Sequence, residues 1–181
     1  MRLMIASDIH GDLECCKKML EIYDREGCER LVLLGDILYH GPRNGLPCGY
    51  EPKGVIELLN ARRDSILAVR GNCDTEVDQM VLAFPVLADY AVILDDGLTM
   101  YATHGHRYNE ENIPPMKDGD VLLNGHTHML SIREFGGGKL YVNPGSISLP
   151  KGGNPKSYII YENRCFKLYS VEGELLAKAT L

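Results

Sequence analysis

Leu3-Met4-Ile5-Ala6-Ser7-Asp8-Ile9-His10, read together with Leu31-Val32-Leu33-Leu34-Gly35-Asp36, decides the fold class. Each stretch is a short apolar run without polar alternation, as expected of a strand buried on both faces. Each run delivers a carboxylate at its end. Between them, Asp12 is placed to cap a helix, and Leu13, Cys16, Leu20 and Tyr23 fall on one helical face. Gly27 supplies the stop. The spacing from Asp8 to Asp36 is close to the ~30 residues of a βαβ unit. Both aspartates should therefore emerge at one sheet edge, on neighbouring parallel strands.

The pattern continues outward. Residues 41–52, rich in Gly and Pro, read as a loop, and Val55, Ile56, Leu58 and Leu59 mark a second helix. Residues 66–69 form a third strand, and residues 75–80 a short helix. The character then changes. Residues 90–94 and 98–103 flank Asp95-Asp96-Gly97, a strong hairpin signal. Residues 130–135 and 139–142 flank Gly136-Gly137-Gly138. Strands continue at 157–161, 165–171 and 175–179, with turns at Glu162-Asn163 and Glu172-Gly173. The first half reads βαβαβ and the second mostly antiparallel. Two face-to-face β-sheets flanked by helices, an α/β architecture, fit this order. Residues 1–181 contain no linker or repeat and read as a single domain.

Composition narrows the function. Hydrophobic residues make up 45% of the chain, enough for a real core, and the net charge is −6. An acidic balance argues against a nucleic-acid polymer as partner, which would call for a basic surface. It leaves a phosphate substrate open, because bound divalent metals invert the local charge. The six cysteines form no CxxC pair and read as reduced, small core residues of a cytoplasmic protein. No apolar run approaches the ~20 residues of a membrane span.

Metal-ligand side chains follow strand after strand: Asp8 and His10, Asp36, Asn72 after residues 66–71, His104 after 98–103, and His126 and His128 after 121–125. Ligands of α/β sheets bind outside the carboxyl ends of strands, where loops from distant parts of the chain gather. Singly, each residue has a bland reading. Asp36 alone is a helix cap and Asn72 a turn residue. Their joint order points to a metal centre with donors enough for two ions. Mixed nitrogen and oxygen donors suit Mn, Fe, Zn or Co better than Ca or Mg.

The series Asp8-x-His10, Gly35-Asp36, Gly71-Asn72-x-Asp74, His104-Gly105 and Gly125-His126-Thr127-His128 resembles the motif series of the calcineurin-like metallophosphoesterases, over nearly the whole chain. Ala6-Ser7-Asp8-Ile9-His10-Gly11, Tyr39-His40-Gly41-Pro42-Arg43-Asn44, Arg70-Gly71-Asn72-Cys73-Asp74, Asn143-Pro144-Gly145-Ser146 and Pro150-Lys151-Gly152-Gly153-Asn154-Pro155 are similar to segments of its small bacterial YfcE-type phosphodiesterases. The resemblance implies a four-layer α-β-β-α sandwich. It also implies that Asp8, His10, Asp36 and His128 hold one metal, and that Asp36, Asn72, His104 and His126 hold the other, with Asp36 bridging. Manganese is the favoured ion, with Zn, Fe, Co or Ni as alternatives.

The implied activity is hydrolysis of a small phosphoester, a phosphodiester first, by direct attack of a metal-bound hydroxide. A homodimer is compatible with the resemblance. Phosphomonoesterase or pyrophosphatase activity on the same centre stays open as an alternative. A catalytically silent binding scaffold is a third reading, although the complete ligand set speaks against it.

One position departs from many relatives, which carry a histidine between the Asn and the acidic residue. Here it is Cys73, a thiol with a reference pKa near 8.5 and a poor analogue of imidazolium. Cys73 either donates a proton to the leaving group or shapes the pocket. His106 is the other candidate proton donor, its bland alternative being a supporting or surface histidine. His40, in a Gly/Pro loop, reads as a rim residue. Gly136-Gly137-Gly138-Lys139 lacks the strand-to-helix setting of a phosphate loop and reads as a hairpin tip.

Overall fold

In the computed structural model, which describes residues 1–181, the chain runs through β1 (Arg2–Ala6), α1 (Leu13–Glu26), β2 (Arg30–Leu33), α2 (Pro52–Asn60), β3 (Ile66–Ala68) and α3 (Glu76–Val81). It continues as β4 (Tyr90–Asp95), β5 (Leu98–Thr103), β6 (Val121–Leu123), β7 (Leu130–Phe135), β8 (Lys139–Pro144), β9 (Ser157–Glu162), β10 (Cys165–Ser170) and β11 (Leu175–Thr180). The helix signals work as expected. The Asp12 carboxylate accepts the Cys15 amide at 3.0 Å, a cap that contributes about 1 kcal/mol. Gly27 closes α1 at φ 61°, in the left-handed region.

Two sheets result. The first has the order β11-β10-β9-β1-β2-β3, and the second β4-β5-β6-β8-β7. β1, β2 and β3 are mutually parallel, while β9 pairs with β1 antiparallel. The second half of the chain is less antiparallel than its hairpins suggest, because β5, β6 and β8 are parallel to one another. The long connection from β5 to β6, and the β7 excursion before β8, return the chain each time to the same starting edge. Three carboxyl-terminal strand ends from each sheet are therefore available on one side of the molecule.

Burial explains why β1 and β2 lack polar alternation. Met4, Ala6, Leu31 and Leu33 pack outward against α1 and α2, in a core that includes Cys16, Met19, Leu20, Val55 and Leu59. Leu3, Ile5, Val32 and Leu34 point the other way, onto Met100, Ala102, Val121, Leu123 and Val142 of the second sheet. A period-two strand caught between two apolar layers needs apolar side chains at every position.

Residues 104–120, which contain no helix, cover part of the outer face of the second sheet over β5, while Tyr90, Val92 and Leu94 of β4 stay exposed. Side chains of β5 meet the polar groups of this segment. The Tyr101 hydroxyl donates to the Pro115 carbonyl at 3.0 Å, and the Thr103 hydroxyl to the Tyr108 carbonyl at 2.8 Å. The fourth layer of the expected sandwich is thus irregular chain. All six cysteines are free. Cys15, Cys16, Cys28 and Cys73 are buried as expected, whereas Cys48 is exposed in the loop before α2 and Cys165 is half-buried at the start of β10. No helix is long and apolar enough to cross a membrane.

Candidate metal centre

Strand ends, and the backbone conformation just after them, bring the candidate ligands together. Asp8, His10, Asp36, His126 and His128 all have positive φ, between 50° and 65°. A non-glycine residue there costs on the order of 1 kcal/mol, and such strain persists only where surrounding structure enforces it. Backbone bonds between loops do the enforcing. Asp8 N–H donates to the Gly35 carbonyl at 3.1 Å, His10 N–H to the Asp36 carbonyl at 2.9 Å, and Gly125 N–H to the His104 carbonyl at 2.8 Å. Gly71 and Gly125 permit the tightest approaches: a Cβ on Gly71 would sit 2.0 Å from Asp36 Oδ1, and one on Gly125 1.9 Å from Ser7 Oγ.

The donor atoms form two groups that meet at Asp36. In the first, Asp8 Oδ1 lies 3.1 Å from His128 Nε2 and 3.4 Å from His10 Nε2, and the two imidazole nitrogens are 3.2 Å apart. The far nitrogen of each ring is already engaged. His10 Nδ1 meets the Tyr39 carbonyl at 2.8 Å, and His128 Nδ1 meets the Leu149 carbonyl at 2.6 Å. A carbonyl only accepts, so both rings carry their proton on Nδ1 and turn the Nε2 lone pair inward. Asp8 Oδ1 is buried without a hydrogen-bond donor. Three electron-pair donors thus point at one another, an arrangement that a cation resolves.

The second group repeats the design. His104 Nδ1 bonds the Leu34 carbonyl at 2.6 Å, which leaves Nε2 facing Asn72 Oδ1 at 3.0 Å, His126 Nδ1 at 3.2 Å and Asp36 Oδ2 at 3.5 Å. Asp36 Oδ2 is also 3.8 Å from His10 Nε2, so this one oxygen lies between the groups. The Asn72 amide nitrogen donates to Cys73 Sγ at 3.2 Å, which aims the amide oxygen inward. The residues present therefore fit a two-ion centre on the chemistry of their donors.

Electrostatics agree. Burial pushes the Asp8 carboxyl upward, but His10, His104 and His128 outweigh it and hold the group well below the usual carboxylate range. Burial opposes charge on His104, yet Asp36 and Asp8 raise it to about 9. A proton and a metal ion then compete for the same His104 lone pair. Metal titrated into the ion-free protein at pH 7–8 is expected to release protons, as a buffer-dependent heat of binding, with the release fading above about 9. In the ion-free protein the same shift stabilises the fold below the ordinary value of 6.5, an effect lost as pH rises through about 9. A buffer-independent heat at pH 7 would remove His104 from the site.

Several residues to which the sequence assigned no role support the ligands. Asp74, 1% exposed, accepts from the amides of Asp36 at 2.8 Å, Ile37 at 2.9 Å and Gly71 at 2.7 Å, and so joins the second and third ligand loops. Burial pushes its carboxyl up to about 6 despite those donors. Ser146 and Ser148 both donate to the Asp8 carbonyl at 2.8 Å. Asp74 and Ser146 lie within the quoted motif segments, which was the available hint.

The two proton-donor candidates separate. Cys73 lines a cleft with Asp36, Arg43, Asn44, Asn72, His126, His128 and Lys151. Burial, and then the Asp36 carboxylate, push its thiol up, so it stays protonated. His106 lies in a second cleft with Glu110, Glu111, Thr127, Tyr141 and His126. Burial, reinforced by His104, lowers it to about 4 and leaves it neutral at pH 7. His40 stacks against Tyr39 and Tyr50 at the rim.

Residues 1–164 match the calcineurin-like phosphoesterase superfamily domain. Phosphodiesterase YfcE of Escherichia coli K12 is 50% identical over 163 residues, which is 90% of this chain and 88% of that protein. Phosphodiesterase MJ0936 of Methanocaldococcus jannaschii is 27% identical over 153 residues, covering 80% and 83%. A solved structure of the E. coli YfcE phosphoesterase superposes with a TM-score of 0.97 at 44% identity, covering 99% of each chain. Vacuolar protein sorting 29 of Cryptosporidium parvum, at 17% identity and TM-score 0.64 over 99% and 98% of the chains, shares the fold.

Proposed function

Since the chain belongs to the calcineurin-like phosphoesterase superfamily and is a metal-dependent phosphodiesterase, we propose that it works through a dinuclear centre. Asp8, His10, Asp36 and His128 hold one ion, Asp36, Asn72, His104 and His126 hold the other, and Asp36 is shared. The observation that carries this reading is the convergence of the Nε2 atoms of His10, His128 and His104, each ring held through Nδ1 on a backbone carbonyl, onto the buried Asp8 Oδ1 and Asp36 Oδ2. When bound, two divalent ions, manganese first, supply a hydroxide nucleophile at neutral pH and positive charge for the phosphoryl oxygens.

The chain's own residues prepare that chemistry. The Tyr39, Leu34 and Leu149 carbonyls hold each imidazole in the tautomer that binds a cation. Asn72 adds a neutral oxygen donor, so the positive charge that attracts phosphate is not cancelled. The two clefts meet at His126, on opposite sides of which the two arms of a diester can diverge. A monoester needs room for one arm only. The Cys73 thiol lies within 4.8 Å of donor atoms of His10 and Asp36, but burial and the Asp36 carboxylate keep it protonated and so a poor nucleophile, which suits direct attack by water.

Cys73 borders the centre and orients Asn72. Cys73→Ser is expected to keep the shape of the pH–rate profile while weakening metal binding a fewfold, because the hydroxyl accepts the Asn72 amide less well at that distance. A lost basic limb in the profile would instead make the thiol the proton donor. The whole reading is tested by metal analysis of the purified protein, then rates on matched aryl mono- and diesters with Mn, Zn, Fe, Co and Ni. Absence of turnover with every ion would promote the scaffold reading, and faster monoester turnover would reassign the substrate class.

A further inference from the structure

The cleft over Asp36 carries two cations that the protein does not use. Arg43 is the one arginine in the chain whose side chain makes neither a hydrogen bond nor an ion pair, and the Lys151 ammonium is likewise unpaired. Both line the same small cleft as Asp36, Asn72, His126 and His128, and Asp36 is the only carboxylate on its wall. Both residues are exposed, and in a chain of net charge −6 two cations converging beside a cation-binding centre make a local positive rim that attracts an anion.

Neither cation hangs on a free loop. The Asn44 side chain donates to the His40 carbonyl at 2.8 Å, and a Cβ on Gly41, at φ +81°, would come within 3.0 Å of Cys73 Sγ, so residues 40–44 lie directly on the Cys73 loop. Tyr39, just before them, is bonded through its carbonyl to His10. On the other side, Lys151 N–H donates to the His128 carbonyl at 3.2 Å, and the Asn154 side chain donates to the Lys151 carbonyl at 2.8 Å. Each cation is anchored to a candidate ligand, one on each flank of the cleft.

We propose that Arg43 and Lys151 grip a second phosphate of the substrate, which makes the substrate a phosphodiester of the phosphoanhydride type, R–O–P–O–P–O–R′. The inference rests on the phosphodiesterase reading and specifies its substrate class. A simple diester carries one negative charge, and two metal ions already exceed it. The small shared cleft requires the second anion to be a close neighbour of the reacting phosphorus. Arginine's planar fork suits a phosphate, while lysine adds a point charge.

The step balances without a general acid. Water adds its oxygen to one phosphorus, and the bond from that phosphorus to the bridging oxygen breaks. The bridging oxygen keeps the electron pair as part of the second phosphate, and the protons of water pass to solvent. Two phosphomonoesters result, and the two cations meet the charge that develops on the departing one.

The test compares di(adenosine-5′) pyrophosphate with bis(p-nitrophenyl) phosphate on the metal-loaded protein. The ratio of their kcat/KM values is expected to fall ~10- to 100-fold in R43A and in K151A, and less in R43K. Calorimetry with the methylene-bridged, non-hydrolysable analogue of the pyrophosphate should show a matching loss of affinity. An unchanged ratio, or equal analogue affinity in wild type and the double variant, overturns the proposal. Should the loaded protein hydrolyse neither diester, the phosphodiesterase reading fails, and the calorimetric comparison still decides this one.

Discussion

Asp36→Asn is expected to lower phosphodiesterase kcat/KM by roughly 10³-fold or more while the protein stays folded. The two effects separate because the carboxylate oxygens do different things. Oδ1 accepts the Cys73 amide at 2.8 Å, and an asparagine oxygen keeps that bond. Asparagine also tolerates the φ of 56° at this position. Oδ2 faces His104 at 3.5 Å and His10 at 3.8 Å, and its replacement by an amide nitrogen removes the anion common to both groups. In the proposed two-ion centre, the ions would then lack the shared negative donor that offsets their repulsion. Bound metal per chain should fall below two, and the melting temperature of the ion-free protein should move by only a few degrees. Full manganese-dependent turnover of an aryl phosphodiester by this variant would refute the assignment of Asp36.

Asp74→Ala should destabilise the fold by about 3–5 kcal/mol, because it strands three buried amides that the carboxylate accepts. At this chain length that corresponds to a drop of roughly 6–20 °C in melting temperature. Metal affinity should fall with it, since the lost acceptor holds Asp36 and Gly71 in register. Glu76→Ala, at a side chain 77% exposed, serves as the control and should stay within about 0.5 kcal/mol. Equal melting temperatures for the two variants would mean that the Asp36 and Gly71 loops are held by something other than Asp74.

Most elements were readable because each has a local cause. Alternation-free runs identify strands buried on both faces, Asp12 and Gly27 bracket α1, and Asp96-Gly97, at φ 45° and 78°, makes the hairpin turn its dipeptide advertises. The parallel pairing of β5, β6 and β8 was not readable. Pairing direction depends on where residues 104–120 and the β7 excursion carry the chain, and residues 104–120 have no regular pattern of their own. The ordered chain over the second sheet is likewise set by Tyr101 and Thr103 reaching across to carbonyls far along the sequence.

Residue type and order by themselves determined the donor chemistry of this protein: carboxylate, imidazole and amide groups, each delivered at the end of a strand. Only the tertiary structure decided how the rings are aimed, since carbonyls from other loops orient His10, His104 and His128. It alone brought Asp74, Arg43 and Lys151 to the centre, and imposed left-handed backbone on five of the candidate ligands. Covalent order specifies which groups exist. Their aim depends on hydrogen bonds closed between segments distant in the chain, which form only when the two sheets pack.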